Sequence, residues 1–458
     1  MYDINAKLKA VDLYESIKNL PIISPHGHVN PVWLSENKPF SNPTELFLVP
    51  DHYVLRMLHS KGVDYEDLGV PERNKSFIKN PKKAWKIFCK YYYLFDGTPS
   101  KIWIDDSLKN VLKIDTPITE ANADYLYDKI SSLLATNDFL PINIFKNLNI
   151  ELLATTEFAL DELKSHEFLQ NGPLTNKIIT TYRPDDLTDP DRTNFKENLF
   201  SLERITGENI AEWNGLIKAH AHRRQTFRQY GAKATDHAAP SPRTADLSKE
   251  DKQRLLDKIL LGKHDKHDSE MFRAQMFTEM AQLSIDDGMA MQMHVGSMRN
   301  TDPALMQKYG ADKGADIPLQ VNWLDGLSPL LRKLGNEKKL KIILFTLDES
   351  CYSRELAPMA GYWRSLVIGP PWWFHDSSYG IRRYFESVVE TAGFYNLAGF
   401  NDDTRALMSI PSRHSLWRWE TCLFLATHLI EGKISSSSAY DIAKWLSYNA
   451  AKEAYNLN

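Results

Sequence analysis

The chain has 458 residues, 43% of them hydrophobic, with a formal net charge of −4. That length supports a large core, arranged as one big domain with an insertion or as two domains. The small charge gives no reason to expect a nucleic-acid or membrane-surface partner. Cys89, Cys351 and Cys422 are widely spaced. They form neither a zinc knuckle nor an even-numbered disulfide framework, which favours a reducing compartment. Met1-Tyr2-Asp3-Ile4-Asn5 lacks a basic region leading into an apolar core, and no run approaches membrane-spanning length. The expected location is therefore the cytoplasm.

Short apolar runs occur at 20–24, 150–155, 177–181, 232–235, 289–293, 341–346, 366–369 and 397–401. Between most of them lie stretches with helical apolar spacing, such as 271–286, 380–391 and 417–429. Strands alternating with helices predict a parallel α/β sheet, and eight strands are the number that closes a barrel. The first interval is by far the longest. It is rich in Trp, Tyr, Lys and Leu, as in Ala84-Trp85-Lys86-Ile87-Phe88 and Tyr91-Tyr92-Tyr93. The expected fold is a distorted TIM (β/α)8 barrel, residues 1–30 and 148–458. A mostly helical insertion, 31–147, would cover its mouth. The polar stretch 237–252 reads as a long surface loop, and His264 and His267 as part of a solvated turn.

The first run ends in His26-Gly27-His28. Residues two apart on a strand point the same way, so both imidazoles leave the strand end side by side, a spacing suited to a divalent metal. Other run ends are also polar: Tyr182-Arg183-Pro184-Asp185, Thr235-Asp236-His237, His294 with Arg299 beyond it, and Asn401-Asp402-Asp403-Thr404-Arg405. Helix capping needs some of these residues but not all, and barrel active sites are built at the strands' C-terminal ends. Closure would bring the last strand beside the first. Asp402 or Asp403 could then join His26 and His28 as a third ligand, leaving positions open for substrate. His294 could ligate metal or touch substrate. Arg183, Arg299 and Arg405 near one metal pocket point to an anionic substrate, since guanidinium forks pair with carboxylates.

These motifs resemble the uronate isomerase (glucuronate isomerase) family of the amidohydrolase superfamily, nearly end to end. The matching segments are Pro21 through His28, Glu36 through Phe40, Asp51-His52-Tyr53, Tyr182 through Asp185, Thr235-Asp236-His237, and Met291 through His294 with Arg299-Asn300. They continue with Trp372-Trp373-Phe374, Asp376, Gly399 through Arg405, and Arg413-His414. The resemblance selects Asp403 over Asp402 as the ligand, two residues before Arg405. It implies interconversion of aldose and ketose hexuronates, with D-glucuronate or D-galacturonate as the aldose. It implies one divalent metal on His26, His28 and Asp403, zinc or else manganese, and no nucleotide cofactor.

By the same resemblance, His52, Tyr53 and Asp403 would be catalytic. Arg183, Arg405, His294, His237, Arg299, Trp372 and Trp373 would bind or wall the substrate. The partner would be a small hexuronate, with no nucleic acid or membrane involved and self-association left open. The chain departs from the family pattern at Gly27 (Cys in the family), Glu157 and Phe158 (paired aspartates), Ala238 (Gly) and Asp402 (Thr). A binuclear hydrolase of the superfamily fits less well, since neither a lysine at the fourth strand end nor a histidine at the sixth is evident. A mononuclear hydrolase or decarboxylase, or a noncatalytic sugar-acid-binding protein, are the rival readings.

Overall fold

The computed structural model describes residues 4–73, 75 and 80–457. Its strands are β1 (Ile22–Ser24), β2 (Ile150–Phe158), β3 (Ile178–Arg183), β4 (Ala234–Ala239), β5 (Ala290–Val295), β6 (Ser297–Met298), β7 (Ile317–Pro318), β8 (Ile342–Thr346) and β9 (Leu366–Ile368). Seven form one sheet in the order β1-β2-β3-β4-β5-β8-β9, with every pairing parallel. β6 and β7 pair as a separate antiparallel ribbon. Helices separate the sheet's strands and cover its outer face, as parallel crossovers require. The fold is a distorted (β/α)8 barrel.

The eighth run differs from expectation. It forms only an isolated parallel bridge, Leu397 to Ile368, and no strand. Left-handed Gly399, at φ +76°, interrupts it, and Asp403, at φ +39°, follows just beyond; such conformations do not fit a β ladder. The segment still closes the barrel. Ala398 N donates to Ile368 O at 2.8 Å on one side, and His28 N donates to Thr404 O at 2.9 Å on the other.

Strand alternation sorts the side chains into two layers. Met291, Met293, Val295, Ile342 and Leu344 point outward into the core shared with the surrounding helices, among them Ile4–Ile17, Lys266–Asp287 and Ile410–Ile430. Ala234, Ala290, Ile343 and Phe345 fill the barrel interior with Trp372 and Tyr455. Between β1 and β2 the elements formed by the described residues are helices, including Pro31–Glu36, His52–His59, Pro81–Lys90, Pro99–Asp106, Ala123–Leu134 and Pro141–Asn147. These helices share one apolar cluster, with Trp85, Phe88 and Leu126 at its centre, and it continues onto Ile22, Ile150 and Ile178 of the barrel. Within 237–252, Thr244 and Ala245 are buried, so that stretch is only in part the surface loop its polarity predicts. Thr244 is tied by a backbone bond to Gly326 O at 2.8 Å.

β1 is short and is anchored from outside. Arg418, buried on the helix Ile410–Ile430, donates to Lys18 O and Pro21 O at 3.0 Å each. These bonds hold the chain leading into His26. Arg418→Met leaves both carbonyls without this donor, so it should lower the unfolding free energy by about 2–4 kcal/mol. The shift of the urea midpoint relative to the parent measures it.

The outward side of β2 carries a buried polar cluster. Thr180 Oγ1 donates to Glu157 Oε2, His166 Nε2 lies 2.8 Å from Thr155 Oγ1, and the same nitrogen is 3.6 Å from Glu157. Burial pushes the Glu157 carboxyl up to about 8 from an ordinary 4.5. Folding therefore favours its protonated form, and that contribution is complete below pH 4.5 and lost as pH rises through 8. Burial also pushes His166 down to about 4 from 6.5. Its contribution has the opposite sense, complete above pH 6.5 and lost as pH falls through 4. Above pH 6.5 only the Glu157 slope remains of the two, and it is downward. Glu157→Gln should flatten the decline in melting temperature between pH 6.5 and 8. A decline as steep as the parent's would show that Glu157 is not its source.

Candidate active site

The C-terminal ends of the strands open into a cavity of about 750 Å³. His26, His28, Arg183, Asp236, His294, Asp403 and Arg405 line it from the barrel, and Phe47, Asp51, His52, Tyr53 and Trp103 from the helical insertion. Of the residues given a catalytic, metal or substrate role by the resemblance, His237 is the one that stays outside. Alternation along β4 points Asp236 inward, in line with Ala234, and turns His237 away. His237 Nε2 lies 2.8 Å from Thr235 Oγ1, and its ring packs edge-on to Phe277 at 5.9 Å. It is buried outside the cavity and is not placed to touch a substrate.

The imidazoles and carboxylates converge. Asp403 Oδ1 is 3.4 Å from His26 Nε2 and 3.2 Å from His28 Nε2. Trp372 Nε1 donates to the other carboxylate oxygen, Oδ2, at 2.7 Å and fixes the carboxylate plane. Burial alone would raise the Asp403 carboxyl, but His26 and His28 outweigh it and hold it well below its usual range. The left-handed backbone at Asp403 and at Trp373, φ +55°, stores strain at the site's rim.

His294 Nδ1 donates to Asp236 Oδ1 at 2.7 Å. Burial lowers its proton affinity, so Nε2 keeps a lone pair. Two sets, His26 with His28 and Asp236, and His26 with His294 and Asp403, each bring one ligand atom per residue within 4.8 Å of one another. His294 Nε2 and Asp403 Oδ1 are buried without a hydrogen-bond partner among the described residues. Unpaired buried acceptors of this kind are costly without a cation, and the donor set of imidazoles and carboxylates fits a divalent metal. His294 thus stands among the candidate ligands.

Gln292, two residues before His294 and on the same face, completes the support. Its Nε2 lies 3.3 Å from His26 Nδ1, and its Oε1 accepts from Tyr455 Oη at 2.9 Å. Such contacts orient the ring of a metal-binding histidine. Sequence reasoning passed over both Gln292 and Asp236. The signal was present: both are polar residues at inward positions of strands that are otherwise apolar there.

Five arginines line the cavity, Arg183, Arg192, Arg299, Arg405 and Arg413, and three of them are the ones expected from sequence. Arg183 donates through Nε to Asp185 at 2.8 Å and lies 3.5 Å from Asp236 through Nη1. Arg405 Nη2 donates to Asp312 Oδ2 at 2.7 Å. Arg299 Nη1 is 3.8 Å from Asp312 Oδ1, and its guanidinium lies over the Trp373 ring at 4.4 Å. Across from them, Asp51 caps the helix His52–His59, its carboxylate accepting from Tyr53 N and Val54 N. That cap sets the first turn so that His52 and Tyr53 face the cavity with ring centroids 4.4 Å apart. His52 Nε2 is buried and has no hydrogen-bond partner among the described residues. Burial and the nearby Arg405 charge push the His52 imidazole down to about 3, and burial raises the Tyr53 phenol well above its usual value. At neutral pH His52 is a neutral imidazole and Tyr53 a protonated phenol.

Asp402 does not line the cavity. Its Oδ2 accepts from His414 Nε2 at 3.1 Å in the layer behind Asp403. Glu157 also faces away from the cavity, whereas Phe158 borders it.

The family model of glucuronate isomerase matches residues 4–455. The chain is 45% identical over 456 residues to a uronate isomerase of Mesorhizobium japonicum, covering 99% of this chain and 97% of that one. Its structure is similar to that of glucuronate isomerase from Caulobacter crescentus, with a TM-score of 0.98 at 43% identity, covering 100% of this chain and 95% of the other. It is also similar to a uronate isomerase of Thermotoga maritima, with a TM-score of 0.91 at 25% identity, covering 98% and 97%. With its motifs in order along the whole length and its fold matched end to end, the chain belongs to the glucuronate (uronate) isomerase family.

Proposed function

We propose that this enzyme isomerises a hexuronate between aldose and ketose, D-glucuronate to D-fructuronate or D-galacturonate to D-tagaturonate. One observation carries the reading: a candidate metal cluster, several arginines and a neutral His–Tyr pair share a single cavity. The arginines match the acid's carboxylate and the His–Tyr pair matches proton transfer at uncharged carbon. The helical insertion 31–147 supplies that pair and serves as the cover of the mouth.

Isomerisation moves one proton from C2 to C1 and one from O2 to O1, so it needs no electron acceptor. Arg183 and Arg405 hold the open-chain acid by its anionic end, and this positioning is itself a large part of the rate. His52, neutral and unpaired at Nε2, accepts the C2 proton and returns it to C1. Tyr53, protonated, donates toward O1 as negative charge develops there, and takes back the proton from O2. Asp403 serves as a proton acceptor when the sugar ring opens. Trp372 and Trp373 wall the chain, with Arg299 held against Trp373. His26, His28 and Asp403 would hold one divalent metal, zinc in our assignment. When bound it supplies a Lewis acid for the substrate carboxylate and an adjacent hydroxyl. The three cysteines are buried and unpaired, and we place the protein in the cytoplasm on that basis.

His52→Asn and Tyr53→Phe should each lower turnover by about 100-fold or more, with metal content by elemental analysis equal to the parent's. Parent-like turnover in both would remove them from the mechanism. The reaction itself is read by proton NMR in heavy water, with D-glucuronate and D-galacturonate as separate substrates. Ketose should form from at least one, with deuterium entering at C1 or C2. Release of carbon dioxide, or an aldose left unchanged by metal-loaded protein, would overturn the isomerase assignment.

A further inference from the structure

The arginines that face the cavity are not alike in their support. Arg183 has Asp185 and Asp236 on its own barrel wall. Arg405 and Arg299 are more exposed, each 36% by side chain. Long side chains with that freedom lose entropy when they are fixed on a ligand, so a partner that holds them beforehand improves binding. Asp312 is a partner they share, Arg299 having Asp316 as well at 4.0 Å. Asp312 Oδ2 accepts from Arg405 Nη2 at 2.7 Å, and its Oδ1 lies 3.8 Å from Arg299 Nη1.

Asp312 sits on a segment, 310–316, that is pinned at several points. Ala315 O accepts from Thr301 N and Thr301 Oγ1, both at 2.7 Å. Asp316 Oδ1 accepts from Asn300 N at 2.7 Å, and Lys313 O accepts from Tyr65 Oη at 2.7 Å. Gly314, at φ +93°, lies so close to the helix His52–His59 that a Cβ there would come within 2.7 Å of His52 O and of Arg56 Cβ. The segment is therefore a fixed platform, clamped to the ribbon β6–β7 and to the helix that carries His52. From it one carboxylate bridges two arginines contributed by distant parts of the chain.

We propose that Asp312 is a positioning residue, which holds Arg405 and Arg299 in register with His52 so that their remaining N–H groups face the substrate's anionic end. Asp312 meets Arg405 through the terminal Nη2, leaving the rest of the guanidinium fork for the ligand. It also places a negative charge between two cations that would otherwise repel each other across the cavity. Because Arg405 binds the substrate before and during proton transfer alike, the effect of Asp312 falls on KM more than on kcat.

The inference rests on the isomerase reading, and its test is kept separate from it. Steady-state rates with D-glucuronate, or with D-galacturonate if that is the aldose turned over, are compared for the parent, Asp312→Asn, Asp312→Glu and Asp312→Ala. Asp312→Asn should raise KM at least tenfold with kcat within threefold and an unchanged melting temperature. Asp312→Glu should recover most of the loss. Added formate should lower the KM of Asp312→Ala but not that of the parent, a rescue that a merely structural role would not give. A KM within twofold of the parent in Asp312→Asn overturns the proposal. A fall in KM also overturns it, by showing that Asp312 competes with the substrate for Arg405. If the parent turns over neither uronate, the isomerase reading fails. Calorimetric affinity of D-glucuronate for the parent and Asp312→Asn then decides the role of Asp312 by the same tenfold criterion.

Discussion

The site depends on one backbone closure, the hydrogen bond from His28 N to Thr404 O. It joins the beginning of the barrel to its end, across most of the chain. Without it the Asp403 carboxylate would have no fixed relation to His26 and His28, and the two ends of the cluster would be independent side chains. The closure is made by an irregular segment. At Asp403 the backbone is left-handed; its carboxylate meets the imidazoles, and Asp402 meets His414 behind it.

Charge balance is the second constraint. Arg183, Arg299 and Arg405 line the cavity together with Asp236, Asp312 and Asp403, among other charged residues, and burying a charge without a partner is strongly unfavourable. The pairing is graded. Asp236 is shared between Arg183 and His294, while Asp312 is shared between Arg405 and Arg299. His52, between these groups but bonded to neither, is left neutral by burial and by Arg405. Fixed charges at the rim and a neutral base at the centre suit a reaction that anchors an anion and moves a proton at uncharged carbon.

Much of this was legible in the sequence. The His26-Gly27-His28 spacing, the polar run ends and the alternation of strands with helices led to the barrel and to the family. The substrate role expected of His237 conflicts with strand parity: Ala234 and Ala238 flank Asp236 on the inward side, and inward positions on the neighbouring β5 are also small or polar. Asp312 left no such signal. It belongs to a segment between the fifth and sixth apolar runs with no periodicity of its own, and only the folded chain brings that segment onto the helix of His52. Gly399 and Asp403 carried no warning that the last run would bend instead of pairing, because a left-handed residue other than glycine is set by tertiary context.

The departures from the family pattern separate into two kinds once they are placed. At Gly27 a Cβ would stand 3.4 Å from Asp402 Oδ1, and Asp402 is buried, with that oxygen unpaired. A cysteine at 27 would add a sulfur to a space already made tight by the carboxylate. Threonine at 402 would leave more room there and would carry no charge. Gly27 and Asp402 are therefore best understood as a single compensated change in the layer behind the ligands, with His414 as the charged group's partner, and it leaves the faces of His26, His28 and Asp403 untouched. Glu157 likewise turns away from the cavity. That leaves Phe158 and Ala238 as the departures that border the cavity. Phe158 packs beneath Arg183 and Arg192, at 5.5 and 5.7 Å, where an aspartate would instead pair with them and draw off charge available to the substrate. An aromatic ring at this position holds Arg183 by its face and adds no further carboxylate to a guanidinium whose Nε and Nη1 already face Asp185 and Asp236.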